Sequence, residues 1–178
     1  MTAPGGTGRR YEVVTTASTL TFDAQSTLHG VHGKADALSG FIQTDPSANG
    51  SISGPPPPKM HVEFPVESLK SGNAMQDREM YKLVDSQRFP RVTADLKELQ
   101  PGSSPGTYTA AGDVALAGRG RRYSGDLTFA ENGDTVTIEG SLNVDIRDFG
   151  LKPPTLLGII KVEPVVAVHL VLVARRAG

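Results

Sequence analysis

The sequence predicts an all-β protein: one eight-stranded, antiparallel, elongated β-barrel with a single short α-helix between its third and fourth strands. Apolar and polar residues alternate with period two through eight segments, giving each strand one dry and one wet face. Connections are mostly short, and a closed barrel hides eight dry faces while leaving no unpaired edge, so it is preferred to a sandwich. One segment alone abandons alternation for helical spacing.

Taken in order, residues 1–10 (MTAPGGTGRR) are small, polar and Gly-rich and read as a disordered lead. The remainder, 11–176, is expected to form one domain, since 178 residues suit a single core better than two. The first two strands are LTFDAQST (20–27) and KADALSGFIQTD (34–45), joined through HGVHG (29–33), whose Gly30 and Gly33 suggest a turn. The third is KMHVEFPVESL (59–69), reached through DPSANGSISGPPPP (45–58), where four prolines favour polyproline II.

The helix is expected over about 74–87 in NAMQDREMYKLVDSQRFP. Met80, Leu83 and Val84 fall at i, i+3 and i+4, Asn73 can cap the start with Gln76 at the third helical position, and Pro90 cannot continue it. RVTADLKELQ (91–100) and TYTAAGDVALAG (107–118) follow, separated by PGSSPG (101–106). RRYSGDLTFAE (121–131) and TVTIEGSLNVDIR (135–147) read as a hairpin turned by Asn132-Gly133 in type I′ geometry. IKVEPVVAVHLVLVAR (160–175) is the last strand.

Eighteen basic and nineteen acidic residues nearly cancel, so no broad electrostatic contact with nucleic acid or an anionic membrane is expected. The absence of Cys removes disulfides, thiolate metal sites and Cys nucleophiles. The first residues have no apolar signal core and no apolar run reaches the ~18 residues of a spanning helix. A cytoplasmic protein is expected, or a periplasmic or secreted one if a leader has been removed.

At ~3.3 Å per residue and a tilt of about 40°, strand 135–147 implies a barrel roughly 33 Å tall. By parity its interior is lined by Phe22, Val62, Phe64, Val114, Leu116, Leu127, Phe129, Ile138, Leu142, Ile146, Val166, Val168, Leu170 and Leu172. That lining offers no acid, base or nucleophile, and with six Phe, four Tyr and no Trp to fill it an apolar cavity is favoured over a solid core. An apolar small molecule or long lipid is the expected ligand, with no cofactor and no nucleic-acid partner. A homodimer stays open.

Up-and-down connectivity gathers four connections at one end, bringing His29, His32, Asp77, Arg78, Arg119, Arg121, Arg122, Asp148 and Lys152 into a polar mouth above the apolar shaft. Of these His29, His32, Asp77, Arg119 and Arg121 are the candidate head-group contacts. Two His in a Gly-flanked turn are too few to hold zinc, and His61 and His169 lie on outward parity, so no metal site is expected. Asp77 also suits a structural place near the helix start, and Arg147 an outer-face pair with Asp145 or a neighbouring carboxylate.

Five segments in one order resemble the YceI-like proteins. They are LSGFIQTD (38–45), SLKSGNAMQDREM (68–80), RFPRVTADL (88–96), GDVALAGRGRRYSGDLTF (112–129) and DIRDFGLKPP (145–154), and the resemblance runs from about Tyr11 to Arg175. It implies a lipocalin-like barrel that binds polyisoprenoid-type lipid, and no established reaction. The secretory signal common in that family is not seen here, and HGVHG and the prolines at 55–58 depart from its pattern.

The expectation is therefore a non-enzymatic barrel that sequesters or transports a long isoprenoid-type lipid. Two rivals stand beside it. One is a small-molecule enzyme with His29 or His32 as acid or base at the mouth and Asp77 orienting it; the other is a filled barrel that meets protein partners through its Pro-rich loop.

Overall fold

The computed structural model describes residues 8–28, 30–48, 51–52, 55–153, 155–156 and 160–177. Its strands are β1 (Arg10–Val13), β2 (Thr19–Ser26), β3 (Val31–Ala35), β4 (Ser39–Gln43), β5 (Lys59–Pro65), β6 (Arg91–Pro101), β7 (Thr107–Leu116), β8 (Arg119–Asn132), β9 (Thr135–Asp145), β10 (Thr155–Leu156) and β11 (Ile160–Arg176). One helix, α1 (Ala74–Val84), lies between β5 and β6.

These strands close into an antiparallel barrel of eight walls. β4 through β9 pair in sequence order, β9 pairs β11, and β11 returns to β2 and to β1 along its other edge. β1 and β2 together make one wall; β3 and β4 make the next. Because each of these walls is broken in two, the helix follows the fifth strand segment of the chain although it follows the third wall expected from sequence.

The break in the first wall has a definable cause. Residues 15–17 turn out of line as a short 3₁₀ turn, so the ladder to β11 loses its regular partner at that level. Ser18, which is 1% exposed, restores it: its hydroxyl donates to the Val14 carbonyl at 2.9 Å and accepts the Val173 amide at 2.9 Å. β1 itself is absent from the sequence reading. Arg9 already bonds Thr44 and Arg10 opens the strand, so order begins inside the expected 1–10 lead, whose first seven residues lie outside the described residues.

Local differences from expectation follow from turn chemistry. β8 and β9 close on Asn132 opposite Thr135, so the two-residue turn is Gly133-Asp134; only Gly133 takes positive φ, which is type II′ rather than I′. The I′ pattern occurs instead at Ala117-Gly118, where both φ angles are positive between the Leu116–Arg119 pair. Helix α1 starts as expected, with Asn73 Oδ1 accepting from the Met75 and Gln76 amides, but stops at Val84 because Asp85 turns left-handed. β9 ends at Asp145, whose side chain caps a 3₁₀ turn over 146–149, so Ile146 and Arg147 are turn residues. HGVHG is only partly a turn, since Val31, His32 and Gly33 already belong to β3, with Gly33 seated against the Phe22 ring.

The barrel is filled at one end only. Tyr11, Leu38, Ile42, Ile52, Val136, Ile138 and Leu172 are buried in one cluster, with Phe129 against it, forming a solid floor. The connections that leave β2, β5, β7 and β9 all lie at the opposite end, together with α1.

Candidate functional site

Above the floor the barrel encloses a cavity of about 400 Å³. That lies within the roughly 300–1,000 Å³ typical of small-molecule pockets. Its wall carries Phe22, Val62, Phe64, Val114, Leu116, Leu127, Leu142, Ile146, Val166, Val168 and Leu170 from the expected lining, and adds Leu20, Met60, Val92, Leu96 and Val162. Phe129, Ile138 and Leu172 also point inward, but they belong to the packed floor and do not line the cavity.

The space exists because small residues hold inward positions. Ala24, Ala94, Ala110, Gly112, Gly125 and Gly140 all border the cavity. They interact across strands in ways that leave room: Ala110 sits opposite Gly125, and Gly140 opposite Leu127. From Val162 to Leu170, β11 follows the cavity for roughly 26 Å at ~3.3 Å per residue, or roughly 20 Å along the axis at a tilt near 40°. The space is elongated, suited to a chain more than to a compact molecule.

Helix α1 roofs it. Gln76, Met80, Leu83 and Val84 face the cavity, joined by Leu69 and Ser71 before the helix and Leu151 beyond the 146–149 turn. These residues escape a parity argument because they come from a helix and two loops. The 3.6-residue spacing of Met80, Leu83 and Val84 was the available signal.

The polar residues expected at the mouth are not brought together. His29 lies outside the described residues. His32 bonds Asp23 on the neighbouring strand and is exposed on the outer face, because Val31 takes the inward position of β3. Asp77 is buried but turned toward the chain before the helix, accepting the Ser71 amide at 2.8 Å and its hydroxyl at 2.7 Å. Arg119 lies over Gly150 and Arg121 bonds the Gly120 carbonyl at 3.0 Å; both are exposed and neither lines the cavity. Polar groups at the rim come instead from Ser71, Gln76 and Tyr123.

Tyr123 fastens this rim. Its hydroxyl donates to Asp148 at 2.6 Å and its ring stacks on Phe149 with centroids 5.9 Å apart. Burial first, then the hydrogen bond and charge of Asp148, push its pKa up to about 12, so it stays a donor throughout the physiological range.

The remaining histidines lie outside the barrel. His61 meets Asp95 at 2.7 Å and Glu63 at 3.5 Å; burial opposes its protonation, but those two carboxylates outweigh it and raise its pKa above the usual value. His169 bonds Glu139 and Ser141, each at 2.8 Å. Among the described residues no three His, Asp or Glu side chains stand together as metal ligands, and no helix is long and apolar enough to cross a membrane.

An antiparallel barrel, solid at one end and holding an elongated apolar cavity under a single helix at the other, is the architecture of a small-ligand binding barrel. The sequence matches the YceI-like domain over residues 11–174, and the chain belongs to that family. Among solved structures it is similar to Burkholderia cenocepacia BcnA, with a TM-score of 0.75 at 19% identity, covering 90% of this chain and 98% of that one. It is also similar to a polyisoprenoid binding domain from Saccharophagus degradans implicated in plant cell wall breakdown, with a TM-score of 0.69 at 17% identity, covering 94% and 98%. The Campylobacter jejuni YCEI protein follows at 0.59 and 16% identity, covering 83% and 85%. No curated protein matches the sequence.

Proposed function

We propose that this protein binds a long apolar lipid of isoprenoid type in its lumen, sequestering or transporting it without chemical change. The observation that carries the reading is the elongated cavity of about 400 Å³ held open by inward Ala and Gly and walled by aliphatic side chains. Every buried CH₂ contributes ~0.8 kcal/mol, so about ten of them supply roughly 8 kcal/mol against the cost of association. Membership of the YceI-like family and the similarity to a polyisoprenoid binding domain support the same ligand class.

A catalytic reading has less support. It requires a histidine beside Asp77 at the mouth, whereas His32 is turned outward onto Asp23 and Asp77 is held by Ser71. The direct test is native mass spectrometry of the purified protein, followed by organic extraction and mass analysis of what is released. A co-purified lipid of defined mass is expected; a bare protein that takes up none of a panel of isoprenoids would overturn the proposal.

A further inference from the structure

The barrel wall has a gap. β8 and β9 pair from Asn132–Thr135 only as far as Asp126–Ser141. Beyond that pair β8 continues along β7 to Arg119, and β9 continues along β11 to Asp145. Each strand is held by its outer neighbour, yet the two part from one another. Tyr123 bounds the gap above, its hydroxyl 3.3 Å from the Asp145 carbonyl oxygen, and the Asp126–Ser141 pair bounds it below. Ser124, Gly125, Ser141 and Leu142 line both the lumen and a groove on the outer face, so the gap lies between the two.

Its edges are polar for a reason set by strand geometry. Successive residues of an antiparallel strand aim their amide and carbonyl to alternate neighbours. The Phe129 amide bonds the Gly106 carbonyl at 2.9 Å on the β7 side, so odd positions of β8 serve β7 and even ones face β9. The Ser141 carbonyl faces β8, 3.3 Å from where a Cβ at Gly125 would stand. The next narrow pair would therefore be Ser124 with Asn143, and that pair is not formed. Two amides and two carbonyls consequently point into an opening whose inner side is apolar, and such groups need a partner.

We infer that this gap seats the polar head of the bound amphiphile, with the chain in the lumen, and that the head is uncharged and both donates and accepts hydrogen bonds, as an alcohol does. This inference rests on the lumen-binding reading above. The neutrality follows from the surroundings. The gap presents carbonyl oxygens as well as amides, and Asp126 and Glu139 border the outer groove. Arg122, whose guanidinium borders that groove, is already engaged by Asp113 at 3.2 Å and Glu98 at 3.8 Å. A diphosphate would meet more acceptors than donors there.

The test uses three twenty-carbon probes on the full chain: geranylgeraniol, geranylgeranyl diphosphate and the hydrocarbon phytane. Binding is measured together with amide hydrogen exchange at Ser124 and Asn143. Geranylgeraniol is expected to bind at least tenfold tighter than the diphosphate and to slow exchange of both amides, while phytane binds without protecting them. In Ser124→Pro, which removes an amide that serves no β7 bond, alcohol affinity should fall about fivefold to tenfold, and by several-fold more than phytane affinity falls. Tighter binding of the diphosphate, or a bound alcohol that protects neither amide, would overturn the inference and leave the lumen reading standing. Failure of all three probes to bind would overturn the lumen reading, and this inference with it.

Discussion

Ala110→Phe separates a ligand lumen from an unfinished core. Ala110 points into the cavity one inward position beyond Tyr108, whose ring packs on Phe129 of the floor, and its cross-strand neighbour on β8 is Gly125, which has no side chain to collide with a ring. A phenyl group there would occupy the place of about four CH₂ groups of a ligand chain. At ~0.8 kcal/mol each, binding should weaken by roughly 3 kcal/mol, or about 150-fold. The same ring buries apolar surface against Gly125 and the floor, so folding stability should rise by ~1 kcal/mol or more. Affinity for geranylgeraniol and urea unfolding, measured on one preparation, give both quantities. Opposite signs are expected: weaker binding in a more stable protein. Unchanged affinity with raised stability would show that no ligand reaches the lower lumen, refuting a chain seated through the full depth of the cavity.

Three further outcomes follow from local structure. Ser18→Ala leaves the Val173 amide without its partner in a buried position, and should lower the unfolding free energy by about 1–3 kcal/mol, read as a shifted denaturant midpoint at constant slope. Ala117→Asn should stabilise by about 0.5–1 kcal/mol, since Ala at φ 53° carries a left-handed penalty that Asn tolerates in an I′ turn; a lower melting temperature would contradict the turn assignment. The raised pKa of His61 means its protonated form is favoured in the folded protein, so its contribution is fully present below about pH 6.5 and is lost as pH rises through the higher folded value. An NMR titration should place its midpoint above 6.5, and Asp95→Asn should lower it.

Much of the barrel was legible because a half-buried strand writes its faces into alternate residues, as Val136, Ile138, Leu142 and Val144 do on β9. What failed were places where the chain departs from that period. β1 is only four residues long and is joined to its wall through Ser18, a side-chain bond that no hydropathy pattern records. The polar mouth failed for a related reason: connectivity correctly gathers connections at one end but says nothing of side-chain direction. Thus His32 follows the strand pleat outward, Asp77 turns back to Ser71, and Arg119 covers Gly150. The gap between β8 and β9 was likewise invisible, since Ser124 and Asn143 alternate as well as any paired residues.

The lumen itself shows why a list of bulky inward residues is an incomplete description of a binding barrel. Along β9 the inward side chains run Val136, Ile138, Gly140, Leu142; the first two are buried in the floor, and the cavity begins at the glycine. β8 makes the same change in the opposite chain direction, from Phe129 in the floor to Leu127 and then Gly125 at the cavity wall. On β7 Tyr108, whose ring packs on Phe129, gives way to Ala110 and Gly112. Three adjacent strands thus lose inward bulk over two successive inward positions, Gly140 lying opposite Leu127 and Ala110 opposite Gly125, and packing at interior density cannot continue past them. A core under no requirement beyond stability would gain by placing larger side chains at those positions, as each buried methylene adds to the folded state. Their clustering where the floor ends, beneath a helix that supplies apolar groups of its own, gives the space the build of a site rather than of a packing fault.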